Sequence, residues 1–145
     1  MHRTSNLRWS DAWLLVSIYH CSKSQPANLS DIVAAADLIN HAIITAEELR
    51  SGLTRLMQTD YIREGQTPLT FQCASQALQM LDGLSQKSKT LYELWKEVEN
   101  HLEVVRWVAG EPLPHAANCH PFPGLSDEVY EKSIQEYLNR MRSRR

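Results

Sequence analysis

The chain has 145 residues, 43% hydrophobic and 22% charged, which is enough to bury a core without disulfides or metal and unlike disordered or collagen-like composition. Net charge is −2, which neither requires nor excludes a nucleic-acid partner. Three widely spaced cysteines (Cys21, Cys73, Cys119), a start without the apolar core of a signal peptide and no apolar run near the roughly 18 residues that cross a bilayer lead to the expectation of a cytoplasmic protein with reduced thiols and no membrane partner.

The charge is unevenly placed. Arg3 and Arg8 precede the first expected helix, and Arg140, Arg142, Arg144 and Arg145 crowd the end. Setting these six aside leaves 9 basic against 17 acidic residues, a balance of −8 for the body.

Residues 10–20 read as helix 1, with Ser10 as N-cap, Asp11 favoured by the dipole in the first turn, and Trp13, Leu14, Leu15, Val16 and Ile18 apolar on most sides. A polar linker, CSKSQPAN, leads to helix 2 at 31–39, capped by Ser30, with Ile32, Val33, Ala36 and Ile39 at helical spacing and Asn40 as a left-handed stop. Thr45 and Glu48 then form a capping box, flanked by Ile44 and Leu49 at the positions of a hydrophobic staple. Helix 3 runs from there to about Thr59 on a stripe of Leu49, Leu53, Leu56 and Met57.

Strand-like runs at Tyr61–Glu64 and Leu69–Cys73 surround a loop with Gly65 and Pro68, which predicts a β-hairpin; a third short strand around Ala27–Leu29 could steady it. ASQALQMLDGL follows as a helix with Ala77, Leu78, Leu81 and Leu84 facing inward. Residues 90–105 carry Leu91, Leu94, Trp95, Val98, Leu102 and Val105 in one stripe, which must pack on the core or meet a second subunit. A proline-punctuated linker spans 110–124, and Ser126 caps a final helix, 127–142, with a seam of Tyr130, Ile134, Tyr137, Leu138 and Met141.

The order helix, turn, helix, hairpin, helix over residues 9–86 resembles a winged helix-turn-helix domain of the MarR and PadR types of bacterial regulator. The likeness is carried by LSDIVAAADLINHAIITAEELRSGLTRLMQTDYI and by LTFQCASQALQML; the DLINHAIIT segment also resembles small uncharacterised bacterial winged-helix-like proteins. It implies a mainly α (α+β) fold. On that likeness a winged helix-turn-helix domain with a small β-hairpin wing is expected over residues 1–86, and a helical extension over 87–145.

It also implies a DNA-binding transcription regulator that dimerises through its C-terminal helices, with helix 3 in the major groove of double-stranded DNA and the wing on the flanking backbone. Carried onto this chain, the candidate DNA contacts are Arg50, Ser51, Thr54, Arg55 and Gln58 on helix 3 and Arg63, Gln66 and Thr67 on the wing. On a helical wheel Glu47, Ser51, Thr54, Arg55 and Gln58 face solvent, with Arg50 on the flank.

From Thr45 through Gln72 three arginines meet four acids, and phosphate neutralisation supplies most sequence-independent affinity, so such a footprint grips DNA weakly unless the terminal arginines help. A non-catalytic adaptor that holds a protein partner on the same frame therefore stands as the alternative.

Other constellations carry less. His115, Cys119 and His120, with His101 upstream, lack the paired spacing of a metal site, and Cys119 beside His120 has no oxyanion device. Asp37, Asn40 and His41 could line a pocket or simply end helix 2; Trp9, Trp13, Trp95 and Trp107 read as core. No phosphate loop or paired-carboxylate motif is present, so no enzyme activity, cofactor or metal is expected.

Overall fold

The computed structural model describes residues 7–104, 122 and 124–143. Among them the fold is mainly helical with a small antiparallel sheet: α1 (Trp9–Cys21), β1 (Ala27–Asn28), α2 (Leu29–Asn40), α3 (Ala46–Gln58), β2 (Ile62–Glu64), β3 (Thr70–Cys73), α4 (Ser75–Ser85), α5 (Leu91–Leu102) and α6 (Asp127–Ser143). The hairpin and the third strand both form, in the order β1-β3-β2, with Ala27 opposite Phe71 and Arg63 opposite Gln72.

At the hairpin tip the Gly65 amide donates to the Thr70 carbonyl at 2.7 Å. A Cβ on Gly65 would stand 2.6 Å from Thr70 Oγ1 and 2.9 Å from Pro26, so glycine lets the tip approach the chain entering β1.

α1 is the central element. Trp13, Leu14, Leu15, Val16 and Ile18 are all essentially buried, and the helix packs against α2, α3 and α5. An element wrapped on several sides has no need of an amphipathic pattern, which is why its run is apolar all round. Its start differs from the expectation: Arg8 is the N-cap, Ser10 lies buried in the first turn, and the Asp11 carboxylate accepts from the Arg8 amide at 2.8 Å.

Helix 2 is corrected in the same way. It begins at Leu29, and the N-cap is Asn28, whose Oδ1 accepts from the Asp31 amide at 2.9 Å, while Ser30 is buried and donates to that same oxygen. Asn40 stays helical, and the left-handed residue is His41, at φ 55°.

The capping box of α3 is as expected, with the Glu48 amide donating to Thr45 Oγ1 at 3.1 Å and the Thr45 amide to Glu48 Oε1 at 2.9 Å. Ile44, Leu49, Leu53 and Leu56 are fully buried, so the staple and the leucine stripe anchor α3 on the core.

Where α3 crosses α1 the helices meet at Gly52. A Cβ there would lie 2.7 Å from Leu14 Cδ2 and 3.0 Å from Asp11 Oδ1. Gly52→Ala is therefore expected to destabilise the fold, because overpacking of about 1–3 kcal/mol exceeds the roughly 1 kcal/mol that alanine gains over glycine within a helix. Urea denaturation of the two proteins checks the sign.

α4 buries Ala77 and Leu81, but Leu78, expected inside, is 41% exposed. α5 ends at Leu102 rather than 105, and its stripe of Leu94, Trp95, Val98 and Leu102 is buried against α1 and α4. That stripe is used within the chain and is not left over for a second subunit. Trp13 and Trp95 are core, while Trp9, expected with them, is 36% exposed at the edge: Trp13 lies 6.2 Å from Trp9 and 6.1 Å from Trp95, and its indole donates to the Ala36 carbonyl at 2.9 Å.

α6 begins where Ser126 Oγ accepts from the Val129 amide and packs mainly on α2 through Tyr130, Ile134, Tyr137 and Leu138. Met141, assigned to the same seam, is 46% exposed. Most of the 110–124 linker, the residues His115, Cys119 and His120, Trp107, and the terminal Arg3, Arg144 and Arg145 lie outside the described residues.

Candidate functional site

The candidate nucleic-acid face of α3 was expected to project outward, and its residues divide. Arg55 turns inward across the α1–α3 seam. Its Nε and Nη2 donate to the two oxygens of Asp11 at 2.6 and 3.0 Å, a forked pair with a carboxylate side chain that is 0% exposed.

Arg50 bends toward α6, donating to Asp127 Oδ1 at 2.9 Å and to the Leu125 carbonyl at 3.4 Å. Ser51 is corrected outright: it is 2% exposed rather than on the solvent face, and its hydroxyl has no hydrogen-bond partner. Thr54 is half-buried and donates back to the Arg50 carbonyl at 2.9 Å.

Gln58, Arg63, Gln66 and Thr67 are exposed. So is Glu47 near the start of α3, and Glu64 sits at the hairpin tip, where its carboxylate accepts from the Leu69 amide at 2.7 Å. The α3 residues left facing water thus carry more acid than base.

The physical cause of Arg55's direction is Asp11. A carboxylate inside the α1–α3 seam is costly unless a cation and hydrogen bonds meet it, and Arg55 supplies both, with the charge of Arg8 nearby. Sequence reasoning gave Asp11 a helix-dipole role and missed this pairing. The signal was there: a single acid in a run that is apolar on most sides is a buried charge in search of a partner.

Ser51 offers a direct check on its placement. Ser51→Ala removes a buried, unpaired hydroxyl and substitutes a better helix former, so stability is expected to hold or rise by up to about 1 kcal/mol. Thermal unfolding of the variant measures this. A clear loss of stability would mean that the hydroxyl is engaged.

A second surface forms where α6 lies antiparallel along α2. Five side-chain contacts mark the line: Arg50 to Asp127, Tyr130 Oη to the Ile44 carbonyl at 2.6 Å, Tyr137 Oη to Asp37, and Arg140 to Asp31 at 3.0 Å and to Ser30. Burial, followed by the hydrogen bond to Asp37, pushes the Tyr137 hydroxyl up to about 12, so it stays a donor. Burial also raises Tyr130.

Beside this seam a cavity of about 630 Å³ opens between α1, α2 and the end of α6. Ala34, Ala35, Leu38 and Met141 supply its apolar wall, and His20, His41, Asp31 and Arg140 its polar rim. Leu38, at 58% exposure, and Met141 are the large apolar side chains it leaves in water. Asp37 and His41, read first as a helix end, do both jobs: they close α2 and line this cavity.

Nothing in the described residues has the makings of a metal centre, since no group of three or more histidine, cysteine, aspartate or glutamate side chains is gathered there. No helix among them is long and apolar enough to cross a membrane. Burial pushes the Cys21 and Cys73 thiols from an ordinary 9.0 up to about 12.

In the unfolded chain those thiols lose their protons near 9, so between 9 and 12 the unfolded state binds fewer protons than the folded one. The stability they contribute is whole below pH 9 and is lost as pH rises toward 12. Denaturation midpoints above pH 9 are expected to fall less steeply for a Cys21→Ala, Cys73→Ala double variant than for the unaltered chain.

Comparison with protein-family models, with curated proteins and with solved structures finds no match to this chain. The functional reading therefore rests on the geometry above.

Proposed function

We propose that the chain is a non-catalytic protein-interaction module built on a winged-helix frame, with α2 and α3 as the helix-turn-helix pair and β2–β3 as the wing. The observation that carries this reading is the engagement of Arg55 inside the molecule, forked onto buried Asp11; Arg50 is also drawn toward α6, where it pairs at the surface with Asp127, 87% exposed. Salt-dependent DNA affinity comes from basic groups free to replace counterions at phosphates; Arg55 is withdrawn from that role, and Arg50 takes it up only by giving up its surface pair. What the frame offers instead is apolar surface around α2, at Leu38 (58% exposed) and at Ile43 in the turn (40% exposed).

The DNA-reading alternative retains Gln58, Arg63, Gln66 and Thr67 as exposed candidates, one cation among them. A titration of labelled random-sequence duplex with the full chain separates the readings. The interaction module is expected to give no saturable binding at physiological salt, and a purified partner protein is expected to bind the chain and to be lost with Leu38→Glu. Saturable duplex binding that falls steeply with salt and weakens with Arg63→Ala would overturn the proposal in favour of DNA.

A further inference from the structure

α6 is held to the body by a narrow seam and by polar ties along it. Of its 17 residues only Ser133, Ile134 and Tyr137 are buried, with Tyr130 and Leu138 packed at the edges. The two ion pairs that pin it are open to solvent: the Asp127 side chain is 87% exposed in its contact with Arg50, and Arg140 and Asp31 are 43% and 36% exposed. Pairs of that kind hold weakly and are screened by salt.

The elements beneath have anchors of their own, since α2 is secured by α1 and α3 by both its leucine stripe and the Arg55–Asp11 pair, while α6 adds Ile134 and Tyr137 at the edge of the same core. An element with few buried apolar contacts and exposed ties belongs to the low-stability end of a fold and opens before the whole does.

The surface under α6 is already shaped for a helix. It presents a cation (Arg50) at one end, a carboxylate (Asp31) at the other and a carboxylate (Asp37) between them to receive a tyrosine hydroxyl, with Ala34 and Ala35 lining the cavity alongside.

We propose that the α2 face beneath α6 is a helix-receiving groove with α6 as its exchangeable occupant, and that a partner helix bearing the same pattern docks there by displacing it. The pattern is an acid, then Tyr, Ile and Tyr at i, i+4 and i+7, then an arginine one turn on, as in Asp127, Tyr130, Ile134, Tyr137 and Arg140. This inference rests on the interaction-module reading and names the kind of partner that module takes.

The test uses the full chain, unaltered and as an Asp127→Ala, Arg140→Ala double variant, which weakens the tethered helix and leaves the groove residues Arg50, Asp31 and Asp37 in place. Amide hydrogen exchange is expected to open α6 ahead of α1 and α3 in both proteins, and about fivefold or more faster in the variant. A labelled synthetic peptide of residues 126–143 with the natural sequence is expected to bind the variant about fivefold more tightly, since its tethered competitor is weaker.

Exchange of α6 in step with α1 and α3, or equal peptide affinity for the two proteins, would overturn the proposal. Neither measurement involves DNA or an outside partner, so failure here is distinct from failure of the functional reading, which the duplex titration records.

Discussion

Replacing Arg55 with alanine is expected to destabilise the fold by about 3–5 kcal/mol, the cost of leaving a buried carboxylate without its partner. Asp11 is fully buried and takes both donors of the guanidinium fork together with the Arg8 amide. Loss of Arg55 removes the forked pair from a buried charge, leaving it the Arg8 amide and the more distant charge of the Arg8 side chain. The carboxylate must then stay charged and poorly solvated, take up a proton, or pull α1 away from α3.

The double variant Asp11→Ala, Arg55→Ala removes charge and counter-charge together and is expected to recover a large share of the loss, because a buried pair replaced by apolar groups is close to neutral. A double-mutant cycle by urea denaturation measures the coupling. If Arg55→Ala unfolds at the same urea concentration as the unaltered chain, the pair is not formed, Arg55 is free at the surface, and the main argument against a DNA role falls with it.

Trp13→Ala is expected to cost a similar amount, about 3–5 kcal/mol, for a different reason. The indole is 1% exposed at the middle of three mutually packed tryptophans, and its N–H is bonded to the carbonyl of Ala36 on α2. Truncation leaves a cavity where α1, α2 and α5 meet. Trp9 and Trp95 lose a ring neighbour in the same step.

Trp13→Phe keeps most of the apolar volume and gives up the hydrogen bond, so it is expected to lose only about 1 kcal/mol for that bond plus a modest packing term. Thermal melts of the two variants, ordered alanine below phenylalanine below tryptophan, check the assignment. Equal melting temperatures for alanine and tryptophan would show that the cluster is not the core.

These two sites also show what could be read from the chain alone. Local chemistry was legible wherever it is decided within a few residues. The Thr45–Glu48 capping box, the Ile44–Leu49 staple, the leucine stripe, the hairpin around Gly65 and the cap at Ser126 all depend on near neighbours in sequence, and all form.

Cap positions at α1 and α2 were misplaced by a residue or two, because several side chains could serve and burial of Ser10 and Ser30 selected against them. The all-round apolar run of α1 announced a central helix, yet which neighbours surround it is a matter of long-range packing.

Sequence alone determined that this chain builds helices on a buried leucine and tryptophan core with a short hairpin after the third helix, because periodicity and capping are encoded locally. Only the tertiary structure decided where α3's cations point, since that choice is made by residues far away in the chain: Asp11, 44 positions before Arg55, and Asp127, 77 positions after Arg50. A helical wheel sorts side chains by angle but contains no distant carboxylate, so it placed Arg55 on the outside and Arg50 on the flank, whereas Asp11 draws the first inward and Asp127 draws the second toward α6. The same holds for α6, whose seat on α2 depends on contacts such as Tyr137 with Asp37, 100 positions apart.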